Sequence, residues 1–193
     1  MRVFLTCCVI MVLAGALIGG CNLFQTREPE TPTNSGNIPF YIPIEPWIVL
    51  LNLKYTTEAL VITNFDRSLA TNYKFRFSSS DATLDTVWTK DRDIAALTAL
   101  FQGKGATHLT WTPTDSGGTS TDRFYQNLRY RLVMRRSKTD TSRVVIVGQC
   151  NLYMHQDNGN WMVTRWEDNV DDPDYKTWGW ARLNPNLPRS VAP

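Results

Sequence analysis

The amino-acid sequence predicts an α+β domain in which helices come first and an antiparallel sheet follows. Between residues 46 and 62, apolar side chains recur at the steps of three and four that define one face of a helix. The long segments that begin at Arg123 and Arg143 instead alternate apolar and polar residues, as half-buried strands do. The sequence DNGN (157–160) then favours a tight hairpin turn, and strands joined by such a turn are antiparallel.

The first helix is predicted to begin near Glu45. Pro46 suits its first turn, because the N–H that proline lacks would be unpaired there anyway. The stripe expected to face a core consists of Ile48, Leu51, Tyr55, Ala59 and Ile62. A second, short helix is predicted from a cap at Asn64 to about Ala70.

A short pair of strands and a third helix follow. The segments YKFRFS (73–78) and LDTVW (84–88) are typical of strands. Asp91 is the expected N-cap of the third helix, and Gly103 is expected to end it. Its core face is expected to hold Ile94, Leu97 and Phe101. The segment HLTWTPT (108–114) then begins the main sheet.

The long strands carry the predicted core of the sheet. In the strand from Arg123, the inward residues are expected to be Phe124, Leu128, Tyr130, Leu132 and Met134. In the strand from Arg143 to Met154, they are expected to be Val144, Ile146, Gly148, Cys150, Leu152 and Met154. Strict alternation in the last strand, WMVTRWEDN (161–169), places Trp161 on one face and Trp166 on the other.

The N-terminus has the layout of a secretory signal peptide, in which Arg2 precedes an apolar run from Val3 to Ile18. The residues Ile18-Gly19-Gly20-Cys21 resemble a bacterial lipobox, which implies cleavage before Cys21 and a lipid on its sulfur. The alternative is an uncleaved membrane helix, although the run is short of the roughly 20 residues that span a bilayer. Both interpretations place the domain outside the cytoplasm, and the first anchors it in a bacterial cell envelope.

The chain therefore divides into a signal peptide (1–20), lipidated Cys21 with a tether rich in Pro, Thr, Asn and Ser (21–43), a domain (44–183) and a tail (184–193). Cys150 is the only free thiol of this mature chain, so no intramolecular disulfide is expected. Without Arg2, 19 of the 20 basic residues balance 18 acidic ones. This near-neutral charge argues against nucleic acid as a partner.

Several motifs together resemble a known superfamily. They are Pro46, Leu50, Asn52 and Leu53 of the first helix, Trp88 before the third helix, Trp161, Val163, Arg165, Trp166 and Asp168 of the last strand, and Thr-Trp-Gly at 177–179. This pattern resembles bacterial lipoproteins of the nuclear-transport-factor-two-like superfamily, also called SnoaL-like or ketosteroid-isomerase-like. The resemblance covers roughly residues 44–183, and the order of elements supports it more firmly than any single motif.

The resemblance implies a cone in which a strongly curved antiparallel sheet wraps around the long N-terminal helix, as in cystatin-like folds. A pocket is expected at the wide end. Both faces of the last strand can then be buried, with one of its two indoles on each side. Trp178 and Trp180 of the tail are candidates for covering the outer face, which would remove the need for a dimer.

The resemblance also implies where a catalytic group would lie. Enzymes of this superfamily use a carboxylate or histidine, typically an acid near the end of the first strand, and a tyrosine on the first helix. Tyr55 suits the tyrosine, but Phe77 occupies the position nearest the acid, and Asp81 comes several residues later. No catalytic residue is therefore assigned. The candidate ligand-pocket residues are Tyr55, Trp88, Trp111, Tyr130 and Trp166, which either line a cavity or fill the core.

Other polar clusters are expected to be structural. His108 and His155 lack the spacing of metal ligands, and the acidic run 167–174 lacks the pattern of a calcium loop, so no metal or cofactor is expected. The basic stripe formed by Arg129, Arg131, Arg135 and Arg136 is expected to pair with acids of neighbouring strands, with binding of anionic envelope polymers as the alternative.

Three functions fit these features. The favoured one is a non-catalytic envelope lipoprotein, held at the membrane through Cys21, whose domain binds a small apolar ligand or another envelope component. The second is a cyclase, dehydratase or isomerase that uses Tyr55 in the cone pocket. The third is a structural module that dimerises or docks through the outer face of its sheet, so that either a monomer or a homodimer is compatible with the sequence.

Overall fold

The computed structural model describes residues 38–81, 87–105, 107–112 and 115–187. The predicted signal peptide, Cys21, most of the tether and the last residues of the tail lie outside these ranges. None of the helices in the described part of the chain is long and apolar enough to cross a membrane.

Within these ranges the helices are α1 (Pro46–Ala59), α2 (Ile62–Arg67), α3 (Lys90–Phe101) and α4 (Trp178–Leu183). The strands are β1 (Leu69–Arg76), β2 (Val87–Thr89), β3 (Thr107–Thr112), β4 (Asp115–Gly118), β5 (Asp122–Arg135), β6 (Arg143–Asp157) and β7 (Asn160–Asn169). The predicted order of elements is confirmed with two additions: β4 forms in a segment whose sequence DSGG is typical of a loop, and α4 adds a helix to the C-terminal segment.

The strands form one curved, unclosed sheet in the order β2-β1-β7-β6-β5-β3, and β4 pairs with β5. The α+β prediction with a curved sheet against a long first helix is confirmed. One pair departs from the antiparallel expectation, since β1 and β7 run in parallel. Only strands joined by tight turns must be antiparallel, and most of the domain separates β1 from β7 in sequence.

The buried face of α1 differs from the predicted stripe. Its buried residues are Pro46, Val49, Leu50, Asn52, Leu53, Thr56 and Thr57, whereas Ile48, Leu51, Tyr55 and Ala59 are only half-buried. The first turns of α1 are apolar on nearly all sides, so spacing alone does not select a face. Thr56 and Thr57 can be buried because their hydroxyls donate to the carbonyls of Asn52 (2.8 Å) and Leu53 (2.7 Å).

The two predicted helix N-caps are wrong. Asn64 is the third residue of α2, and its buried side chain donates to the carbonyl of Ile38 at 3.0 Å. Asp91 lies in the first turn of α3, and Thr89 precedes that helix. The predicted core positions of α3 are buried at Leu97 and Phe101 and partly buried at Ile94.

The hairpin between β6 and β7 forms where the sequence predicts it. Asn158 and Gly159 both have positive φ, 49° and 80°, which matches the turn type that Asn-Gly favours. The predicted inward residues of β6 are buried, as are four of the five on β5. Phe124 is half-buried, because a β-bulge after Tyr125 changes the alternation.

A second bulge corrects the prediction for β7. Tyr153 pairs with Arg165 and Met154 pairs with Val163, so Thr164 is an extra residue without a partner opposite it. The extra residue resets the alternation, and Trp161 and Trp166 therefore lie on the same buried face, with 5% and 0% exposure. The expectation of one indole on each face is wrong.

Candidate functional site

The helix α4 returns the chain to the buried face of the sheet. The Thr177 hydroxyl caps it by accepting from the backbone N–H of Trp180 at 3.1 Å. Trp178 is fully buried, and its ring centroid lies 5.0 Å from that of Trp166 in an edge-on contact. Trp180 is partly buried against the same core. These residues therefore pack inside the sheet, which corrects the prediction that they cover its outer face.

A buried carboxylate on β7 holds the first turn of α4. The hydroxyl of Tyr130 donates to Asp168 Oδ1 at 2.7 Å, and the backbone N–H of Gly179 donates to Asp168 Oδ2 at 2.5 Å. The Tyr130 oxygen in turn accepts from the backbone N–H of Trp178 at 2.8 Å. Both oxygens of this carboxylate are therefore occupied by donors from the protein itself.

The environment of Asp168 changes its acidity. Burial raises the pKa of Asp168 to about 6, although the Tyr130 hydroxyl and the charge of Arg182 act in the opposite direction. Burial, together with the negative charge of Asp168, also raises the pKa of Tyr130 well above its ordinary value. The tyrosine is therefore the donor in this pair, and the carboxyl is the group that titrates near neutral pH.

A second buried carboxylate, Asp93 on α3, forms an ion pair with α4. Arg182 Nε donates to Asp93 Oδ1 at 2.6 Å, and the Tyr73 hydroxyl donates to Asp93 Oδ2 at 3.0 Å. All three residues are at most 2% exposed. Burial acts to lower the pKa of Arg182, but Asp93, Tyr73 and Asp168 together outweigh burial and raise it. The guanidinium thus stays positively charged inside the core.

The rest of the Arg182 guanidinium is enclosed by aromatic rings. Its central carbon lies 4.1 Å from the ring centroid of Phe75, 5.0 Å from that of Trp166 and 5.1 Å from that of Trp178. These distances allow cation–π attraction in a desolvated site. Within the described residues, Arg182 Nη1 and Nη2 have no hydrogen-bond partner, so the ring faces supply their surroundings.

The close approach of α4 to the sheet depends on a glycine. A Cβ atom on Gly179 would lie 2.9 Å from both Asp168 Oδ2 and Phe77 Cδ1, closer than side chains tolerate. The neighbouring Thr177 hydroxyl donates to Asp81, the acid that the sequence places late for a catalytic base. Burial raises the pKa of Asp81, whereas hydrogen bonds from Thr177 and Ser80 lower it. Asp81 therefore fastens the start of α4.

The structure brings three of the five candidate pocket residues together. Trp111, Tyr130 and Trp166 surround Trp178, at centroid distances of 6.0, 5.7 and 5.0 Å. Trp88 joins the same core through edge-on ring contacts with Phe77, 4.6 Å away. That these rings line a ligand cavity stays a prediction.

Tyr55 lies apart from this cluster. Its ring packs against Tyr41 at 6.0 Å, and within the described residues no carboxylate accepts a hydrogen bond from its hydroxyl. The tyrosines that do contact buried acids are Tyr73 and Tyr130.

Sequence reasoning did not identify Asp93, Asp168 and Arg182 as a buried polar group. One signal was available for Asp93, which precedes Leu97 by four residues and therefore shares its buried helix face. Arg182 carries no such signal, because its partner lies 89 residues away in the chain. Asp168 lies in the resemblance motif, but only the bulge at Thr164 turns its side chain to the interior.

Three other polar side chains that the sequence singles out form ion pairs. His108 Nδ1 lies 2.8 Å from Glu58, and His155 Nδ1 lies 2.9 Å from Asp122. Arg129 pairs with Asp171 at 3.3 Å. In the part of the chain that the structure describes, no three histidine, cysteine or acidic residues come together as metal ligands would.

No protein-family profile matches the sequence, and neither does any curated protein. Solved structures do resemble the domain. A nuclear-transport-factor-two-like (NTF2-like) superfamily protein from Salmonella enterica aligns with a TM-score of 0.52 and 7% identity, over 64% of this chain and 87% of that one. A candidate dehydratase of the NTF2-like family from Streptomyces avermitilis aligns with a TM-score of 0.55 and 6% identity, over 65% of this chain and 93% of that one.

A protein with a cystatin-like fold from Nostoc punctiforme aligns with a TM-score of 0.50 and 12% identity, over 68% of this chain and 92% of that one. The domain therefore has the nuclear-transport-factor-two-like, or cystatin-like, fold that the sequence resemblance implies. At these identities the likeness concerns the fold alone.

Proposed function

We propose that the protein is a lipid-anchored component of a bacterial envelope whose domain is a non-catalytic interaction module. The observation that carries this proposal is the position of α4. Trp178 and Arg182 occupy the interior of the curved sheet, so the chain's own side chains fill space inside the cone in which the resemblance implies a pocket. An interior filled by the chain's own side chains leaves the outer surface as the part that meets partners.

The hydrogen bonding of the interior supports the same conclusion. Asp168 accepts from Tyr130 and Gly179, and Asp93 accepts from Arg182 and Tyr73. A substrate would have to displace these partners before either acid could transfer a proton. The arrangement therefore stabilises α4 in place and does not present a free base to a ligand.

The anchoring half of the proposal comes from the lipobox-like residues that end at Cys21. A lipid there would keep the domain at a membrane, because buried acyl chains contribute about 0.8 kcal/mol per CH2. The test is Cys21→Ser in cells fed a labelled fatty acid. The variant should lose the label, and it should either be released from the membrane fraction or remain unprocessed. Unchanged labelling would exclude Cys21 as the lipid site.

Accessibility of the carboxylates tests the closed interior. A water-soluble carbodiimide with an amine nucleophile modifies accessible carboxyl groups, and peptide mass spectrometry locates them. Asp122, whose side chain is 64% exposed, should be modified in the native protein. Asp93 and Asp168, with 0% and 1% exposure, should react only after unfolding. Native mass spectrometry should also show no co-purifying small molecule, and a bound one would favour the apolar-ligand alternative.

The pair Asp168–Tyr130 favours one second candidate function, acid–base catalysis. A carboxyl whose pKa is about 6 suits proton transfer near neutral pH. The similarity of the fold to that of the candidate dehydratase is compatible with acid–base catalysis. This function requires α4 to move away from the sheet. Modification of Asp168 in the native protein, before any unfolding, would support catalysis and contradict the closed interior.

A further inference from the structure

Four large apolar side chains are exposed together where the domain begins. They are Tyr41, Ile42, Ile44 and Trp47, with exposures of 43%, 69%, 61% and 56%. These residues are called the N-terminal patch below. Most other large apolar residues described in the structure are buried in the core.

The backbone that carries the N-terminal patch is fastened to the domain. The side chain of Asn52, 1% exposed, accepts from the N–H of Tyr41 at 3.0 Å and donates to its carbonyl at 2.7 Å. The carbonyl of Pro43 accepts from the N–H of Trp161 at 2.7 Å. Pro43 and Pro46 are themselves buried. The outward direction of the apolar side chains is therefore set by a fixed backbone.

The composition of the patch matches the boundary between lipid and water. Tryptophan and tyrosine combine an apolar ring with a polar group and are enriched at the boundary between lipid and water, while isoleucine favours the acyl region next to it. The charges nearby are mixed. Glu45 is exposed within the patch, and the Arg67 guanidinium lies 4.0 Å from the ring centroid of Phe40. Apolar insertion, not charge, is then the main attraction.

We propose that the N-terminal patch inserts into the surface of the membrane that anchors the protein. The proposal rests on the lipid at Cys21 proposed above. Sixteen residues, 22–37, lie between Cys21 and Ile38, the first described residue. Even fully extended they span only about 60 Å, at roughly 3.5 Å per residue. Lipidation therefore keeps the patch close to a bilayer, and the patch fixes which side of the domain faces it.

A second copy of the chain is a less suitable occupant. At about 150–250 Å² for each large side chain, the exposed parts of these four residues amount to roughly 500 Å². A stable dimer buries about 800 Å² per partner. Pairing two such patches would also bring two Glu45 carboxylates together, whereas a membrane surface lets that carboxylate remain in water.

Fluorescence quenching by lipids tests the proposal on the lipidated full-length protein, purified from membranes. It is reconstituted into phosphatidylcholine vesicles with and without brominated acyl chains. Bromine quenches indoles that reach the acyl region. The emission of Trp47 is obtained by subtracting the emission of Trp47→Phe from that of the wild type. We expect brominated lipid to quench it about two-fold, because interfacial residues enter the boundary of the acyl region. Trp47→Phe should show no bromine-dependent loss.

A relocated tryptophan is the matched control. Trp47→Phe combined with Val87→Trp restores an exposed indole on β2, at a position 41% exposed, and should remain unquenched. Quenching of that indole, or equal quenching of wild type and Trp47→Phe, would overturn the proposal. A doubled mass in detergent that Ile42→Asn abolishes would overturn it in favour of a homodimer.

The lipid anchor at Cys21 and the membrane insertion of the N-terminal patch can be disproved independently. Mass spectrometry of the N-terminal peptide shows whether Cys21 carries lipid, independently of fluorescence. A lipidated protein whose Trp47 stays unquenched would overturn membrane insertion of the patch and leave the anchor intact. A protein without lipid on Cys21 would remove the anchor on which the membrane assignment rests.

Discussion

Asp168 on β7 and Gly179 on α4 are joined by a hydrogen bond of 2.5 Å between a buried carboxylate and a backbone N–H. The bond connects the last strand to the C-terminal helix in the interior of the domain. Ionisation of Asp168 strengthens this hydrogen bond, but burial opposes the negative charge more strongly, so the folded state favours the protonated carboxyl.

Stability should therefore depend on pH through Asp168. Its pKa is raised from 3.8 to about 6, so the folded state binds the proton more tightly than the unfolded state. The resulting stability is fully present below about pH 4 and is lost as pH rises through 6, by at most roughly 3 kcal/mol. Urea unfolding of wild type and Asp168→Asn between pH 4.5 and 7.5 should show a smaller decrease in the variant.

Asp157→Asn, which changes an exposed carboxylate of the hairpin, is the control and should retain the wild-type pH dependence. An Asp168→Asn variant with the same pH dependence as wild type would contradict the assignment of this titration to Asp168.

Gly179→Ala should destabilise the protein by about 1–3 kcal/mol, because the added Cβ clashes with Asp168 and Phe77. Thermal unfolding measures the change. Leu183→Ala, at the more exposed end of the same helix, should shift the free energy of unfolding by less than about 0.5 kcal/mol. Equal effects of the two substitutions would show that α4 does not approach the sheet at Gly179.

Arg182→Met should cost about 3–5 kcal/mol, because it leaves the carboxylate of Asp93 buried without its cation. Replacing both partners, as Arg182→Met with Asp93→Leu, removes the unpaired charge and should recover a large part of that loss. A double-mutant cycle in urea measures the coupling. Additive effects of the two substitutions would mean that the ion pair does not form.

Trp166→Ala should destabilise the fold by about 3–5 kcal/mol, since the indole is 0% exposed and contacts Phe75, Trp111 and Trp178. Trp47→Ala removes an indole that is 56% exposed and should change the denaturation midpoint little. A similar midpoint for wild type and Trp166→Ala would place the ring outside the core.

Local patterns in the sequence predicted much of the fold. The alternation of β6 and the Asn-Gly turn each depend on residues close together in the chain, and both are confirmed. The face of α1 was mispredicted because threonines whose hydroxyls bond to the helix backbone can be buried like apolar residues.

The packing of the interior depends on a β-bulge and on contacts between residues far apart in the chain, which local sequence patterns do not predict. One unpaired residue, Thr164, decides that Trp161 and Trp166 share a face, and alternation gives no sign of such a bulge. Arg182 becomes a core residue only because Asp93, far away in sequence, supplies its counter-charge. Tyr55 was the expected tyrosine of the site, yet the tertiary arrangement pairs Tyr73 and Tyr130 with the acids instead.

The position of β7 between β1 and β6 affects how the chain can fold. Until residues 160–169 are available, β1 and β2 have no hydrogen-bonded link, among the described strands, to the meander of β3, β5 and β6. Such a long-range pairing forms slowly, since the ends of a large loop must meet before any contact compensates the lost entropy. The sheet can therefore be completed only after these residues, which lie near the end of the domain, have left the ribosome.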